Sequence, residues 1–198
     1  MTRYAPGKHH RRSIRLRGYD YALPGAYFVT IATHGRQLLF EDTVLHRVVE
    51  TFWRRIPGHT PHVELDEWVV MPNHLHGIII VTDPVGATHS SRNSSMKSPP
   101  GPATEIQLER EQLGHASPLP ATGPPSGSLG AIIGNFKSVT TRRINRVRHS
   151  PGLRVWQRNY YERIIRNQRE LNAIRQYIHD NPARWADDEE NPARIKVT

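Results

Sequence analysis

The sequence predicts an α+β protein with a ferredoxin-like antiparallel sheet that is covered by helices. Three observations lead to this fold class. The predicted elements run in the order strand, helix, strand, strand, helix, strand and helix, and the two middle strands are joined by a short turn. No internal repeat is visible, and 198 residues are enough for one well-buried domain with additional arms or an insertion.

The first strand and the first helix are indicated by local composition and spacing. Residues 26–33 are rich in β-branched and aromatic side chains, which predicts a buried strand. From Val44 onward apolar residues recur every three or four positions, as in an amphipathic helix. We expect Asp42 or Thr43 to cap this helix and Pro57-Gly58 to end it.

The second and third strands form a predicted hairpin. Residues 63–71 alternate at first and then become wholly apolar, and residues 74–81 are again dense in apolar side chains. Pro72-Asn73 lies between them and is typical of a turn. Antiparallel pairing of the two segments follows from this short connection.

The C-terminal part of the chain predicts two helices around a strand. Residues 132–147 combine helical apolar spacing with many basic side chains, which indicates a basic amphipathic helix. A strand is expected within residues 155–166, and a helix from about Asn167 to the residue before Pro182. Its inward-facing residues are predicted to be Leu171, Ile174 and Ile178.

We divide the chain into a basic N-terminal arm (residues 1–22), a domain (23–185) and a polar tail (186–198). Within the domain, residues 82–128 hold eight of the sixteen prolines and show no sustained periodicity. This composition predicts a disordered Pro-, Ser- and Gly-rich insertion.

Composition restricts the partners and the chemistry. The net charge of +9 and the pI near 10.3 favour a polyanion such as nucleic acid, although a solvated basic surface has the same composition. No apolar run is long enough for a membrane span, and the N-terminus lacks the apolar stretch of a signal peptide, so we expect a cytoplasmic, nucleoid-associated protein. Cysteine is absent, which excludes disulfides, thiolate ligands and cysteine nucleophiles.

His74 and His76 are the candidate metal ligands. Residues two apart on a strand point to the same face, so the two imidazoles lie side by side while Leu75 points to the core. Taken alone, a His-X-His pair is weak evidence, because the chain has twelve histidines. A structural pair without a metal is the alternative.

Tyr177 is the candidate nucleophile. It lies four residues before Asn181 on the predicted last helix, so the two side chains share one face and the Asn181 carbonyl could complete a metal site. An ordinary core tyrosine, with Asn181 merely ending the helix, is the alternative. Tyr160 and Tyr161 are rival nucleophiles in a strand-like segment.

Three separated motifs carry a resemblance to a known family. The segments Trp68-Val-Val-Met-Pro-Asn-His-Leu-His-Gly77, residues 156–166 and Tyr177-Ile-His-Asp-Asn-Pro182 together resemble the REP-associated tyrosine transposases, within the single-tyrosine HUH transposases of bacterial insertion sequences. The segments Arg15-Leu-Arg-Gly-Tyr-Asp-Tyr21 and Tyr27-Phe-Val-Thr30 are also similar. The resemblance runs from about Arg12 to Trp185, although the insertion is longer than this family leads us to expect.

The resemblance implies that residues 23–185 form a transposase-like catalytic domain. His74, His76 and Asn181 would hold Mg²⁺ or Mn²⁺, and Tyr177 would attack the scissile phosphate. The product would be a covalent 5′-phosphotyrosine with a free 3′-hydroxyl, from which strands can be rejoined without ATP. His179 should point away from this site, because it lies on another face of the helix.

The implied partner is single-stranded DNA, folded as a hairpin or palindromic repeat, and no membrane is involved. Monomer and homodimer both stay open. Binding is expected from the arm, the basic helix and aromatic side chains that could stack on bases. The predicted DNA-binding residues are Arg11, Arg12, Arg15, Arg17, Lys137, Arg142, Arg143, Arg146, Trp156, Arg158 and Tyr160.

Two other functions fit part of the pattern. A catalytically silent nucleic-acid-binding protein would need only the sheet and the basic flanks. A hydrolytic nuclease would keep the metal but use water as the nucleophile. Both predict that no covalent protein–DNA intermediate forms.

Overall fold

Four strands and four helices make up the described part of the chain, which in this computed structural model comprises residues 20–82, 124–188 and 190–194. The strands are β1 (Gly25–Ala32), β2 (Val63–Met71), β3 (His74–Val81) and β4 (Tyr161–Ile165). The helices are α1 (Thr43–Arg54), α2 (Ile56–His59), α3 (Leu129–Val147) and α4 (Gln168–Asp180). Short 3₁₀ segments occur at His34–Arg36, Leu39–Glu41 and Pro182–Asp187.

The four strands form one antiparallel sheet in the order β2-β3-β1-β4. Together with the element order, this arrangement confirms the predicted ferredoxin-like α+β fold. The register places Thr30 of β1 between His76 of β3 and Tyr161 of β4. Since directly paired residues in an antiparallel sheet project to the same side, these three side chains form one row across the sheet.

The two faces of the sheet bury different sets of side chains. Leu75 and Ile79 of β3 belong to the main core, which also contains apolar residues of α1 and α3. Ile78, on the alternate side of the same strand, packs in a smaller cluster with Ile174 and Ile178 of α4. The sheet therefore separates α1 and α3 from α4, and His74 and His76 lie on the α4 side because they alternate with Leu75.

The three longer helices begin at capping side chains. Asp42 accepts hydrogen bonds from the first-turn amides of α1, which settles the choice between Asp42 and Thr43. Ser128 and Asn167 cap α3 and α4 in the same way, each through its side-chain oxygen. The predicted start of the last helix near Asn167 is confirmed.

One local prediction is wrong, and a second is confirmed. Pro57-Gly58 does not end the first helix; α1 ends at Arg54, and the Pro-Gly pair lies inside the short α2, where Pro occupies an early position that needs no amide donor. The strand predicted within residues 155–166 is confirmed, because β4 occupies the end of that segment. Trp156 makes a single bridge with Thr33 instead.

The described ends of the predicted arm and insertion contact the domain. Tyr21 is buried, and its carbonyl accepts a hydrogen bond from the Leu129 amide, so this end of the arm joins the domain. Thr82 donates to His62, and Ser128 caps α3, so both described ends of residues 82–128 make ordered contacts. Residues 1–19, with four of the predicted DNA-binding arginines, and residues 83–123 lie outside the described residues. No helix in the described ranges combines the length and apolarity needed to cross a membrane.

Candidate active site

His74 and His76 meet at their ring nitrogens on the α4 side of the sheet. The two Nε2 atoms are 2.9 Å apart, and the side chains are 0% and 4% exposed. Leu75 is fully buried in the core on the opposite face. The predicted side-by-side placement of the two imidazoles therefore agrees with the structure, and both Nε2 atoms converge on one point.

Asn73 fixes the tautomer of His74. Its amide nitrogen donates to the carbonyl oxygens of Glu190 (2.6 Å) and Arg36 (3.3 Å), so its Oδ1 is an acceptor. Nδ1 of His74 lies 2.8 Å from this Oδ1 and must be the donor. In a neutral ring the lone pair then belongs to Nε2, the nitrogen that faces His76.

Thr30 orients the second imidazole from the neighbouring strand. Its hydroxyl lies 2.8 Å from Nδ1 of His76, and Phe28 stacks on the same ring with a centroid separation of 5.5 Å. A hydroxyl can donate or accept, so Thr30 is compatible with a His76 whose Nε2 carries the lone pair.

Burial keeps both imidazoles uncharged. It lowers the pKa of His74 to about 3, with a smaller contribution from the positive charge of Arg36. Burial also lowers the pKa of His76 well below its usual value, and the neighbouring His74 acts in the same direction. Two neutral imidazoles with converging nitrogens are the form in which histidine binds a metal ion.

Tyr177 brings its hydroxyl to the histidine pair from α4. Its Oη lies 3.3 Å from Nε2 of His76, and Phe28 meets the tyrosine ring edge-on at 6.0 Å. The helix is held on the sheet by Ile174 and Ile178, which lie one turn apart on its buried face. The fold thus brings Tyr177 to His74 and His76, which lie about a hundred residues earlier in the sequence.

The two rival tyrosines lie elsewhere. Tyr160 packs against the main core, with Lys137 Nζ 5.2 Å from its ring centroid, so it belongs to the opposite side of the sheet. Tyr161 shares the α4 side and contacts Phe28, but it stands on β4, two strands from His76. Tyr177 is the tyrosine that contacts a histidine of the pair.

Asn181, the third predicted ligand, is buried at the C-terminal end of α4. Its Oδ1 has no hydrogen-bond partner among the described residues, and an unpartnered buried oxygen is suited to hold a cation. Its role as a ligand stays a prediction. His179 is exposed and pairs with Asp180, in agreement with its predicted exclusion from the site.

Asp188 is a site residue that the sequence analysis missed. Its Oδ2 lies 3.9 Å from Nε2 of His74, and ligand atoms of His74, His76 and Asp188 all lie within 4.8 Å of one another. The residue falls in the segment predicted to be a polar tail, which instead turns back onto the site. The acidic run after Pro182 was a signal of ligand chemistry but gave no indication of where it would fold.

The donor set fits a divalent cation that prefers oxygen and imidazole ligands. Adjacent ligands of an octahedral ion at 2.1 Å are about 3 Å apart, close to the separation of the two histidine nitrogens. Carboxylate and amide oxygens suit Mg²⁺ and Mn²⁺, and imidazole is a better ligand for transition metals than for Mg²⁺. The residues therefore fit the predicted ions, with Mn²⁺ the better match.

The described residues predicted to bind DNA divide into exposed and enclosed side chains. Arg142, Arg143 and Arg146 are exposed along α3, and Arg158 is exposed in the segment before β4. Lys137 donates instead to the carbonyls of residues 157–159, and burial lowers its pKa to about 8. That ammonium group holds a loop in place.

Trp156, which was predicted to stack on bases, is enclosed in the core, and its contact with DNA stays a prediction. The ring is 6% exposed, packs against Phe40 and Phe136, and donates from Nε1 to the Thr140 hydroxyl. Aromatic side chains occur both in cores and on binding surfaces, and the bridge to Thr33 holds Trp156 in the core. Tyr160 is half-buried and stays a predicted contact.

The solved structures similar to this chain include two of low sequence identity. One is a REP-associated tyrosine transposase bound to a REP hairpin, with a TM-score of 0.48 and 17% identity, covering 95% of this chain and 76% of the other. The second, a Deinococcus radiodurans protein assigned as a transposase, has a TM-score of 0.40 and 18% identity, covering 84% and 95%. Likeness at this level does not identify a function.

Comparison with known sequences gives a clear relative. No protein-family model matches the chain. An uncharacterized protein from Haemophilus influenzae is 37% identical over 196 residues, covering 95% of this chain and 97% of the relative. Identity of this degree over nearly the full length of both chains reflects common descent, and the chain belongs to the same protein family as the Haemophilus influenzae protein.

Proposed function

We propose that this protein is a metal-dependent transposase that cleaves and rejoins single-stranded DNA through a covalent bond to Tyr177. The proposal depends on one observation: the Tyr177 hydroxyl lies 3.3 Å from Nε2 of His76, and this nitrogen converges with Nε2 of His74. Both imidazoles are neutral. A metal site alone would suit many enzymes. A tyrosine hydroxyl beside it supplies a nucleophile that can stay bonded to the product.

His74 and His76 would hold Mg²⁺ or Mn²⁺, with an oxygen from Asn181 or Asp188. When bound, such an ion would withdraw charge from the phosphoryl oxygens and favour the phenolate form of the tyrosine. An ordinary tyrosine has a pKa of about 10, so the neutral hydroxyl predominates at pH 7 without such help. The buried surroundings of the histidines strengthen this electrostatic effect.

The cleavage step would exchange one phosphodiester for another. The Tyr177 oxygen bonds to phosphorus, the bond from phosphorus to the 3′ oxygen breaks, and the proton lost by the tyrosine is balanced by one taken up at that 3′ oxygen. No water is consumed and the number of ester bonds is unchanged. A 3′-hydroxyl can then attack the phosphotyrosine and rejoin a strand, which releases Tyr177.

Single-stranded DNA in a hairpin or palindromic repeat is the proposed substrate. The resemblance of the sequence motifs supports this choice, and the net charge of +9 and the exposed arginines of α3 suit a polyanion. A double helix keeps its scissile phosphates in a regular backbone, whereas the junction between a stem and a single strand can bend into a buried site.

The proposal is tested by incubating the purified full-length chain with Mn²⁺ and a labelled stem-loop DNA that carries single-stranded flanks. We expect a protein–DNA adduct that survives denaturing electrophoresis and whose mass locates the DNA on Tyr177. Tyr177→Phe and His76→Ala should abolish the adduct. Tyr161→Phe is the matched control, since this tyrosine lies on the same side of the sheet but two strands from His76, and it should retain the adduct.

Three results would contradict the proposal. An adduct that persists in Tyr177→Phe and vanishes in Tyr161→Phe would move the nucleophile to β4. Cleavage without any adduct would indicate a hydrolytic nuclease. DNA binding without cleavage at any Mn²⁺ or Mg²⁺ concentration would indicate a silent binding protein.

A further inference from the structure

The segment that follows α4 returns to the histidine pair and is fixed there by side chains from two other parts of the chain. Arg36 pairs with the Glu190 carboxylate through Nε at 3.0 Å and through a second nitrogen at 3.3 Å. The Asn73 amide nitrogen donates to the Glu190 carbonyl at 2.6 Å. Within the segment, Asn191 donates to the Trp185 carbonyl.

This attachment aims one oxygen of Asp188 at the site. Asp188 Oδ1 accepts the backbone amide of Glu190 at 2.7 Å, which sets the rotation of the carboxylate. The other oxygen, Oδ2, lies 3.9 Å from His74 Nε2, and the side chain is only 11% exposed. The Trp185 ring lies beside the His74 ring, with centroids 6.1 Å apart.

The approach of Asp188 to His74 places a carboxylate oxygen beside an imidazole nitrogen that carries no proton. His74 Nδ1 donates a hydrogen bond to Asn73 Oδ1, and a neutral ring then has no proton on Nε2. Nε2 therefore carries a lone pair, and a carboxylate oxygen carries negative charge. Both atoms are donors that a divalent cation binds, and together with a ring nitrogen of His76 they lie within 4.8 Å of one another.

Charge balance points the same way. A divalent cation held only by two neutral imidazoles and an amide would be a buried, uncompensated double charge, which is costly. One carboxylate removes half of that charge and is a preferred ligand of Mn²⁺. Asn181 can offer an amide oxygen but no charge.

We propose that Asp188 is the third protein ligand of the metal ion. The Arg36–Glu190 pair and Asn73 hold the segment that positions Asp188. This inference rests on the proposed function for the presence of the metal, and it replaces Asn181 with Asp188 as the principal oxygen ligand. Asn73 then has two roles, since it sets the His74 tautomer and holds the segment that carries Asp188. Asn73 and Arg36 are positioning residues, because neither supplies a ligand.

The test measures Mn²⁺ affinity of the full-length protein by calorimetry without DNA. Asp188→Asn should weaken binding by at least about 10-fold, because it removes the ligand charge. Asp187→Asn is the matched control: it makes the same chemical change at the neighbouring exposed position and should leave affinity unchanged. Arg36→Gln should weaken binding less than Asp188→Asn, since it loosens the segment but leaves the ligand.

A second readout locates the ion. Bound Mn²⁺ is paramagnetic and should quench Trp185 fluorescence, so Trp185→Phe should lose most of the quenching that the wild-type protein shows. Unchanged Mn²⁺ affinity in Asp188→Asn, together with a loss in Asn181→Leu, would overturn the inference and restore Asn181 as the ligand. Loss of affinity in Asp187→Asn equal to that in Asp188→Asn would also overturn it, because a general charge effect would then suffice.

The two proposals can fail separately. If the wild-type protein forms the Tyr177 adduct but Asp188→Asn binds Mn²⁺ normally, the ligand assignment is wrong and the transposase proposal stands. If Asp188→Asn loses Mn²⁺ but no adduct ever forms, the metal site stands and the proposed reaction is wrong.

Discussion

At the scale of single residues, the site depends on side chains that hold the histidines rather than on the histidines alone. Asn73 Oδ1 accepts a hydrogen bond from Nδ1 of His74, and the Thr30 hydroxyl lies within hydrogen-bond distance of Nδ1 of His76. Without these partners each ring could rotate or adopt the other tautomer, since the hydrogen bond at one ring nitrogen decides which nitrogen carries the proton. The pattern His-X-His predicts His74 and His76 as ligands, but the residues that set their tautomers can be recognised only in the folded chain.

The burial of His74 predicts a pH dependence of stability. Its pKa is lowered to about 3 by burial, against about 6.5 in the unfolded chain, so below pH 6.5 the unfolded state binds the extra proton. The free energy of unfolding should therefore fall as pH falls, by about 2 kcal/mol from this residue alone between pH 6.5 and pH 5. His76 acts in the same direction.

Urea denaturation with chelator present, at pH 7 and at pH 5, measures this effect. His74→Phe should flatten the dependence, whereas His179→Gln, at an exposed position, should leave it as in the wild type. Equal slopes in the wild type and His74→Phe would show that His74 is not the group responsible.

At the scale of elements, the ion pair between Arg175 and Asp66 ties α4 to the sheet close to the candidate nucleophile. Arg175, two residues before Tyr177, makes two hydrogen bonds to Asp66, at 2.9 and 2.6 Å. Asp66 lies at an irregularity in the pairing of β2 with β3, between Leu65 and Trp68, which re-aims a side chain as bulges do. The hydrogen bond from Arg175 is the main cause of the lowered pKa of Asp66.

Loss of this pair should impair chemistry more than folding. Arg175→Ala should slow adduct formation at saturating DNA by about 10-fold, because small displacements of a nucleophile are costly. The unfolding midpoint should change little, since Arg175 is substantially exposed and surface pairs contribute little. The single-turnover rate and DNA affinity are measured separately, and Arg54→Ala, which removes an ion pair on α1, is the control.

Exchanging the two charges tests whether the ion pair between Arg175 and Asp66 is what sustains the rate of adduct formation. If positioning through the ion pair is the cause, Asp66→Arg combined with Arg175→Asp should recover part of the rate lost in Arg175→Ala. A double variant that is slower than both single variants, with normal DNA affinity, would contradict this role.

Among the elements, those specified by local sequence signals could be predicted, whereas contacts between distant segments could not. The hairpin of β2 and β3 was predicted with its observed bounds, because alternation and the Pro72-Asn73 turn are local signals. Asp188 was missed because its approach to His74 depends on the Arg36–Glu190 pair, which joins residues 154 apart. The burial of Trp156 could not be predicted from the sequence, because it is decided by partners on other elements, Thr33 and Thr140.

At the scale of the whole molecule, the sheet separates the basic helix from the candidate active site. The main core places α3 on one face, while His74 and Tyr177 lie on the other with α4. DNA that contacts the exposed arginines of α3 and also reaches Tyr177 must therefore pass around the edge of the sheet. A strand of a few nucleotides is too short to do both.

This separation predicts a length-dependent contribution of the α3 arginines. Substituting Arg142, Arg143 and Arg146 with Gln in a Tyr177→Phe background should reduce the salt dependence of stem-loop binding, with the slope of log K against log salt falling by about 2 for three phosphate contacts on single strands. Binding of a five-nucleotide strand should be unaffected. Fluorescence anisotropy at several salt concentrations measures both, with Arg54→Gln as a single-charge control on α1. If the short strand loses as much affinity as the stem-loop, the arginines act through general attraction, and DNA does not need to cross the edge of the sheet.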